Sequence, residues 1–355
     1  IAFSDTLYDS IKAVGQYFLY LLVPIVLCFL EVKERRLFIE SVKKGLIVGA
    51  VIATLIMLVN QCIRVYTNPE AFQLKTLLNF YHTYYYYTSI ISKHPTYIGA
   101  EVYLAIVFLY QYTIKTQRTA LKTLGAVLIL LMSISLLFIN SRVIFILFIT
   151  SILFVLLRYS IRLLKTKQFT RFGGVILGAF LTVFIVYKMV SKTYFFERYT
   201  KELSWELRDE VGTSFNTTST SDSRVARWNS ALKLIQKKWL LGHGNSSEKR
   251  ELYKQYEEDG LVYAMERRYD AHNIYLAYLV EYGVWGLGLL LVFISHNVVR
   301  AYKQRSLSSF FLILMIVFIG ISENYLKTSE GILLTAIFVN LMAFKEVNSL
   351  SEATL

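Results

Sequence analysis

Cysteine and proline are almost missing from this chain, with two of the first and three of the second in 355 residues. Cys28 lies inside the first apolar run and Cys62 at the end of the second, away from any polar loop, so neither a disulfide nor a cysteine-based metal site is expected. Other signatures are lacking too: a Walker loop, paired aspartates that would hold Mg²⁺ for nucleotide-sugar transfer, zinc-type His/Cys spacing and a Gly-rich dinucleotide loop. No cofactor or metal is therefore expected. Charges within the apolar runs are scarce, Glu281 being the clearest exception, and this argues against an ion-coupled pump.

Apolar residues are plentiful. At 55% hydrophobic, the chain carries more apolar surface than one soluble core can bury, so lipid is its expected solvent. Runs able to cross a bilayer fall near 11–31, 45–63, 98–114, 123–141, 143–158, 172–190 and 273–294, and shorter ones near 307–321 and 330–344. The expected fold is all-α, a polytopic transmembrane helical bundle with a large, partly helical extracytoplasmic loop. Three parts follow: 1–190 with six spans, 191–272 as the loop or lid, and 273–355 with three more spans and a cytoplasmic C-terminus. Because the first residue is Ile1 and a polar stretch precedes the first run, upstream helices are expected as well.

The formal charge of +13 invites a nucleic-acid reading until it is divided by region. Residues 191–272 hold fourteen Lys/Arg against thirteen Asp/Glu, leaving twenty-four against twelve elsewhere. The excess belongs to alternate short loops, such as Lys33 to Lys44, Lys115 to Lys122, Arg158 to Arg171 and Arg300 to Arg305, which the positive-inside rule puts in the cytoplasm. Such loops favour acidic membrane lipids. Nucleic acid is not an expected partner.

Within 191–272, a Ser/Thr-rich stretch from Thr213 to Ser223 reads as a linker. Asp222 or Ser223 can cap a helix in which Val225, Trp228, Leu232 and Ile235 recur at helical spacing, ended by Gly242 and Gly244. That helix is expected to lie on the membrane or pack on the spans.

Five residues could carry chemistry. Arg142 separates two apolar runs that have no real loop between them, a position that is functional or that lets an arginine snorkel to headgroups. Arg224 and Arg227 lie three apart on the amphipathic helix and suit a phosphate or diphosphate, the alternative being a solvated charged face. His272, before the seventh run, offers a general base, the alternative being a polar cap. His94 is a weaker candidate of the same kind, and His82, His243 and His296 read as ordinary interfacial or loop histidines.

Ser223-Arg224-Val225-Ala226-Arg227-Trp228, Leu241-Gly242-His243-Gly244 and His272-Asn273-Ile274-Tyr275-Leu276, followed by Glu281, Gly283 and Gly286, resemble the signature of the O-antigen ligase-related family of bacterial membrane enzymes. Asn140-Ser141-Arg142 and His94-Pro95-Thr96-Tyr97 are similar to two further family motifs, so the resemblance runs from 94 to 295. One departure is Lys238-Trp239, where relatives commonly carry proline.

The resemblance implies a GT-C-like bundle in the bacterial inner membrane and a metal-independent glycosyl transfer at its periplasmic face. The implied donor is a glycan on undecaprenyl diphosphate, and the acceptor a sugar hydroxyl on lipid A core or on another lipid-linked glycan. Arg142, Arg224 and Arg227 are the implied diphosphate clamp, Arg224 and His272 the catalytic pair, and His94, Tyr97, Asn273 and Glu281 accessory positions. O-antigen ligase is the first expectation and polymerase the second. A transporter of lipid-linked sugars comes third, because no repeat relates the two halves.

Overall fold

The computed structural model describes residues 15, 17–67, 74–214 and 220–344. The start of the first apolar run, part of the Thr213–Ser223 stretch and the chain from Lys345 onward lie outside the described residues. Each of the nine apolar runs is a helix over its described part: α1 (Leu19–Phe29), α2 (Val32–Thr67), α3 (Pro95–Lys115), α4 (Thr119–Ile139), α5 (Arg142–Lys165), α6 (Phe169–Val190), α9 (Ile274–Lys303), α10 (Leu307–Ser322) and α11 (Ser329–Phe344). Two more long helices, α7 (Arg224–Lys237) and α8 (Glu248–Asp259), lie between α6 and α9. No strand occurs among the described residues, only an isolated bridge from Thr213 to Ser221. The chain is an all-α, polytopic helical bundle.

Six of these helices, α2 to α6 and α9, are long and apolar enough to cross a membrane. The other three apolar helices are shorter; α10 and α11 have 16 residues each, about 24 Å of helix against a hydrocarbon core of about 30 Å. Helix α2 runs to 36 residues, well beyond the expected span. Its first third carries Lys33, Arg35, Arg36, Lys43 and Lys44 on a continuous helix, because nothing between Val32 and Leu46 breaks it.

The chain divides into two compact units, residues 46–201 and residues 1–45 with 202–355. In the first, α3 is the central element, buried from Ile98 through Phe108 apart from Glu101. Gly99 lets it approach Ile139 and Ile144, whose side chains lie 3.2 to 3.4 Å from where a Cβ would stand. Tyr103 and Ser151 share a hydrogen bond of 2.7 Å between α3 and α5. Helix α6 has no buried residue, as suits a helix with lipid around it.

In the second unit, α7 packs on α8 and α9 through Ala226, Ala231, Leu234, Leu252, Tyr256 and Val280. The buried face of α7 is therefore made of the small residues Ala226, Ser230 and Ala231 with Leu234 and Arg227. Leu232, expected in the apolar stripe, is 44% exposed, and Val225, Trp228 and Ile235 are only partly covered. Small side chains win the interior because they let the α7 backbone approach its neighbours.

Candidate functional site

The Thr213–Ser223 stretch is pinned at its ends, which corrects its reading as a linker there. Thr213 and Ser221 exchange backbone hydrogen bonds of 3.2 and 2.9 Å. Buried Asp222 accepts from Gly212 N and Ala264 N, both at 2.8 Å. Ser223 is the α7 N-cap, its Oγ accepting from Ala226 N at 3.2 Å. The start of α7, and with it the placement of Arg224 and Arg227, is thus fixed by a serine cap and a carboxylate clasp.

Both arginines converge on Glu206. Its Oε2 accepts from the Arg224 backbone N–H at 3.0 Å, and lies 3.6 Å from Arg224 Nε and 3.8 Å from Arg227 Nη2. Arg224 Nη1 also donates to Ser322 O at 2.9 Å, and Arg227 Nε to Ser223 O at 3.3 Å. Arg227 is 4% exposed, which rules out a solvated face for it. Burial holds its guanidinium below the usual arginine range, with Glu206 working against that shift. Its Nη1 has no hydrogen-bond partner among the described residues. A helix N-terminus and two guanidinium groups thus surround the chain's own Glu206 carboxylate, the combination of groups that favours an anion.

The Arg227 guanidinium lies 4.9 Å over the Tyr269 ring, and the same ring meets His272 edge-on at 5.6 Å. Asn273, not His272, caps α9: its side chain accepts from Tyr275 N at 3.0 Å and Leu276 N at 3.2 Å. His272 is freed from capping and takes a left-handed φ of 45°, a strained value for a non-glycine residue. Its Nδ1 lies 3.3 Å from Asp270 Oδ1 and 3.3 Å from Glu323 Oε2. Two carboxylates at one ring nitrogen favour a proton there, so the neutral tautomer they select carries its lone pair on Nε2. Burial raises the Asp270 carboxyl, but the His272 ring and backbone N–H outweigh it and hold the carboxyl below the ordinary range.

Helix α9 is broken at Gly283, where φ is 61°. The backbone groups released there are taken up by the turn after α7. His243 N and Gly244 N donate to Val280 O and Glu281 O at 2.8 and 2.9 Å, and Val284 N donates to Trp239 O at 3.0 Å. Interrupted helices in membranes persist where other protein groups satisfy the freed backbone. A Cβ on Gly242 would fall on the Glu281 carbonyl, and one on Gly283 on the Trp239 and Leu240 carbonyls. The Leu241–Gly244 and Glu281–Gly286 motifs are therefore two sides of one backbone contact. Gly242 and Gly244 do not end α7, which closes at Lys237. His243, read as an ordinary loop residue, contributes its backbone to this contact and its Nε2 to Leu234 O at 3.0 Å.

Glu281 itself is buried and pairs with Lys327 at 2.9 Å; Lys327 also reaches Glu248 at 2.6 Å. Burial opposes the Lys327 charge, yet the two carboxylates outweigh it and hold the amine above its ordinary range. Sequence reading missed Glu206, Glu248, Glu323 and Lys327. The last two lie in the polar break between the eighth and ninth apolar runs, where an otherwise apolar region gathers Glu323, Asn324 and Lys327 within five residues.

In the other unit, the two remaining motifs meet. His94 caps α3, its Nδ1 accepting from Thr96 N at 3.3 Å, and Thr96 Oγ1 lies 3.1 Å from Ser141 Oγ, next to Arg142 at the start of α5. Asn140 closes α4 at a left-handed φ of 48°, which makes the expected tight hairpin. Rings of Tyr84, Tyr85 and Tyr97 surround His94, which lines an open cavity of about 420 Å³ with Tyr85, Tyr86, Ser89, Ser92 and Lys93. Arg198, 4% exposed, stacks 3.6 Å from the Tyr84 ring and carried no sequence signal. His82, read as interfacial, is buried and hydrogen-bonded to Gln61 at 3.1 Å.

Arg224, Arg227, His272, Asn273 and Glu281 are thus gathered in one unit, while Arg142, His94 and Tyr97 belong to the other. Among the described residues, no group of three His, Cys, Asp or Glu is placed to hold a metal ion. A search of curated proteins finds no match to the chain. Residues 127–291, from within α4 into α9, match the family model described as O-Antigen ligase. Over that stretch the chain is similar to the O-antigen ligase family, and six of its helices are long and apolar enough to cross a membrane.

Proposed function

We propose that this protein transfers a glycan from undecaprenyl diphosphate to a sugar hydroxyl at the periplasmic face of the bacterial inner membrane, as an O-antigen ligase does, with lipid A core as acceptor. One observation supports this reading: Arg224, Arg227 and the α7 N-terminus converge on the Glu206 carboxylate, and the Tyr269 ring touches both Arg227 and His272. In the transfer, the bond between the anomeric carbon and the diphosphate oxygen breaks, and one from that carbon to the acceptor oxygen forms. His272 Nε2 takes the hydroxyl proton, and the guanidinium groups stabilise the leaving diphosphate, the charge compensation a metal ion would otherwise supply.

Arg142 and the His94–Tyr97 turn are proposed as further substrate contacts, on the evidence of two helix N-termini side by side in their own unit. Basic short loops support contact with acidic lipids. Replacing Arg224 or His272 with alanine should abolish transfer while protein level holds, and retained activity rejects the assignment. Gel profiles of lipopolysaccharide from a deletion strain test the acceptor. Loss of all attached glycan, with lipid-linked polymer persisting, supports the ligase; attachment of single repeats overturns it in favour of a polymerase.

A further inference from the structure

The His272–Glu323 pair is held from a third element. Glu248, at the start of α8, is 1% exposed. Its Oε1 accepts from Ala271 N at 3.2 Å and from Asn324 Nδ2 at 2.9 Å, and its Oε2 from Lys327 Nζ at 2.6 Å. Ala271 immediately precedes His272, and Asn324 immediately follows Glu323. One buried carboxylate therefore grips the chain beside the histidine and beside its carboxylate partner. A shift of either segment would break a hydrogen bond to a buried ionised group, the kind that is hardest to replace.

We infer that Glu248 is a positioning residue, which sets the spacing and facing of His272 and Glu323 without touching substrate. The inference rests on the proposed role of His272 as base. Such placement has a reason here. His272 sits at a strained positive φ, and neither Ala271 nor Asn324 belongs to a long helix that would hold it. Lys327 makes the burial of Glu248 tolerable by lying between it and Glu281. Because Lys327 serves two carboxylates, losing one leaves a one-to-one pair with Glu281. A Glu248 variant thus does not strand a buried charge.

The test compares E248L and E248Q in the purified full-length protein. The donor is lipid-linked glycan extracted from a strain lacking this protein, and the acceptor is lipopolysaccharide core from the same strain. E248L, which deletes the acceptor for Ala271 N and Asn324, should lower kcat about tenfold or more with donor KM changed by less than about twofold, the range for loss of outer-shell support. E248Q keeps an acceptor oxygen of the same reach and should recover most of that rate. Unchanged kcat in E248L overturns the inference, as does an equal fall in both variants that follows a lowered thermal midpoint. Activity retained in H272A overturns the base assignment itself; an inactive H272A beside a fully active E248L overturns only the positioning role. If E248L does not fold, N324L, which cuts the link to the Glu323 segment and leaves every charge in place, carries the same expectation and the same reversal.

Discussion

His272 Nδ1 and Glu323 Oε2, 51 residues apart in sequence, stand 3.3 Å apart across the start of α9 and the end of α10. The contact favours the Nδ1–H tautomer and aims the other ring nitrogen away from the carboxylate. E323Q keeps the size of the side chain but removes one of the two charges that favour Nδ1–H, leaving that of Asp270. Transfer should fall about 10- to 100-fold, the loss seen when the carboxylate that orients a metal-ligating histidine is removed. A steady-state assay of the purified variant measures it, and wild-type kcat would show the contact to be incidental.

Glu206 lies between Arg224 and Arg227, where the proposed function puts the substrate diphosphate. Neutralising it in E206Q removes a competitor for the guanidinium groups, so inorganic diphosphate should bind several-fold more tightly, by calorimetry on the detergent-solubilised protein. Weaker binding would mean that Glu206 holds the arginines in place for the substrate instead of standing in for it.

R227K should be as damaging as an alanine change. Lysine keeps one positive charge but cannot donate from a planar fork or stack on Tyr269, and at 4% exposure its ammonium would be poorly solvated. Comparing transfer rates of R227K and R227A checks this, and a half-active lysine variant would contradict it.

At Gly242 and Gly283, alanine meets both a positive φ and opposing backbone carbonyls. Each substitution should lose about 2 kcal/mol or more, since the left-handed region alone disfavours alanine by about 1 to 2 kcal/mol. Gly288, whose Cβ position is open, is the control. Thermal midpoints of the three variants separate the two sites from the control.

The depressed Asp270 carboxyl gives a sign for acid stability. Its contribution is complete above the unfolded-state value, near 4 for an aspartate, and disappears as pH falls through the lower folded value. The thermal midpoint should therefore drop on the acid side below about pH 4, and D270N should show a shallower drop over that range. Parallel curves for the two proteins would exclude Asp270 as a contributor.

Hydropathy and charge were enough, from sequence, to find nine apolar helices, because lipid demands a long apolar stretch with internal hydrogen bonds wherever it is crossed. The motif residues Arg224, Arg227 and His272 were legible for a related reason: ionised or polar groups next to such stretches stand out against their surroundings. Glu206, Glu248 and Lys327 looked like any other loop charges, since only long-range packing gives them partners of opposite charge. The same holds for the break in α9. Gly283 inside an apolar run reads as a tolerated helix residue, and only the docked Trp239–Gly244 turn, which supplies donors to Val280 and Glu281 and an acceptor to Val284, makes a broken helix stable. Composition thus determined where the chain meets lipid and which side chains it could not place there without purpose. Tertiary structure decided how those side chains are paired, because pairing depends on distances that no periodicity along the chain records.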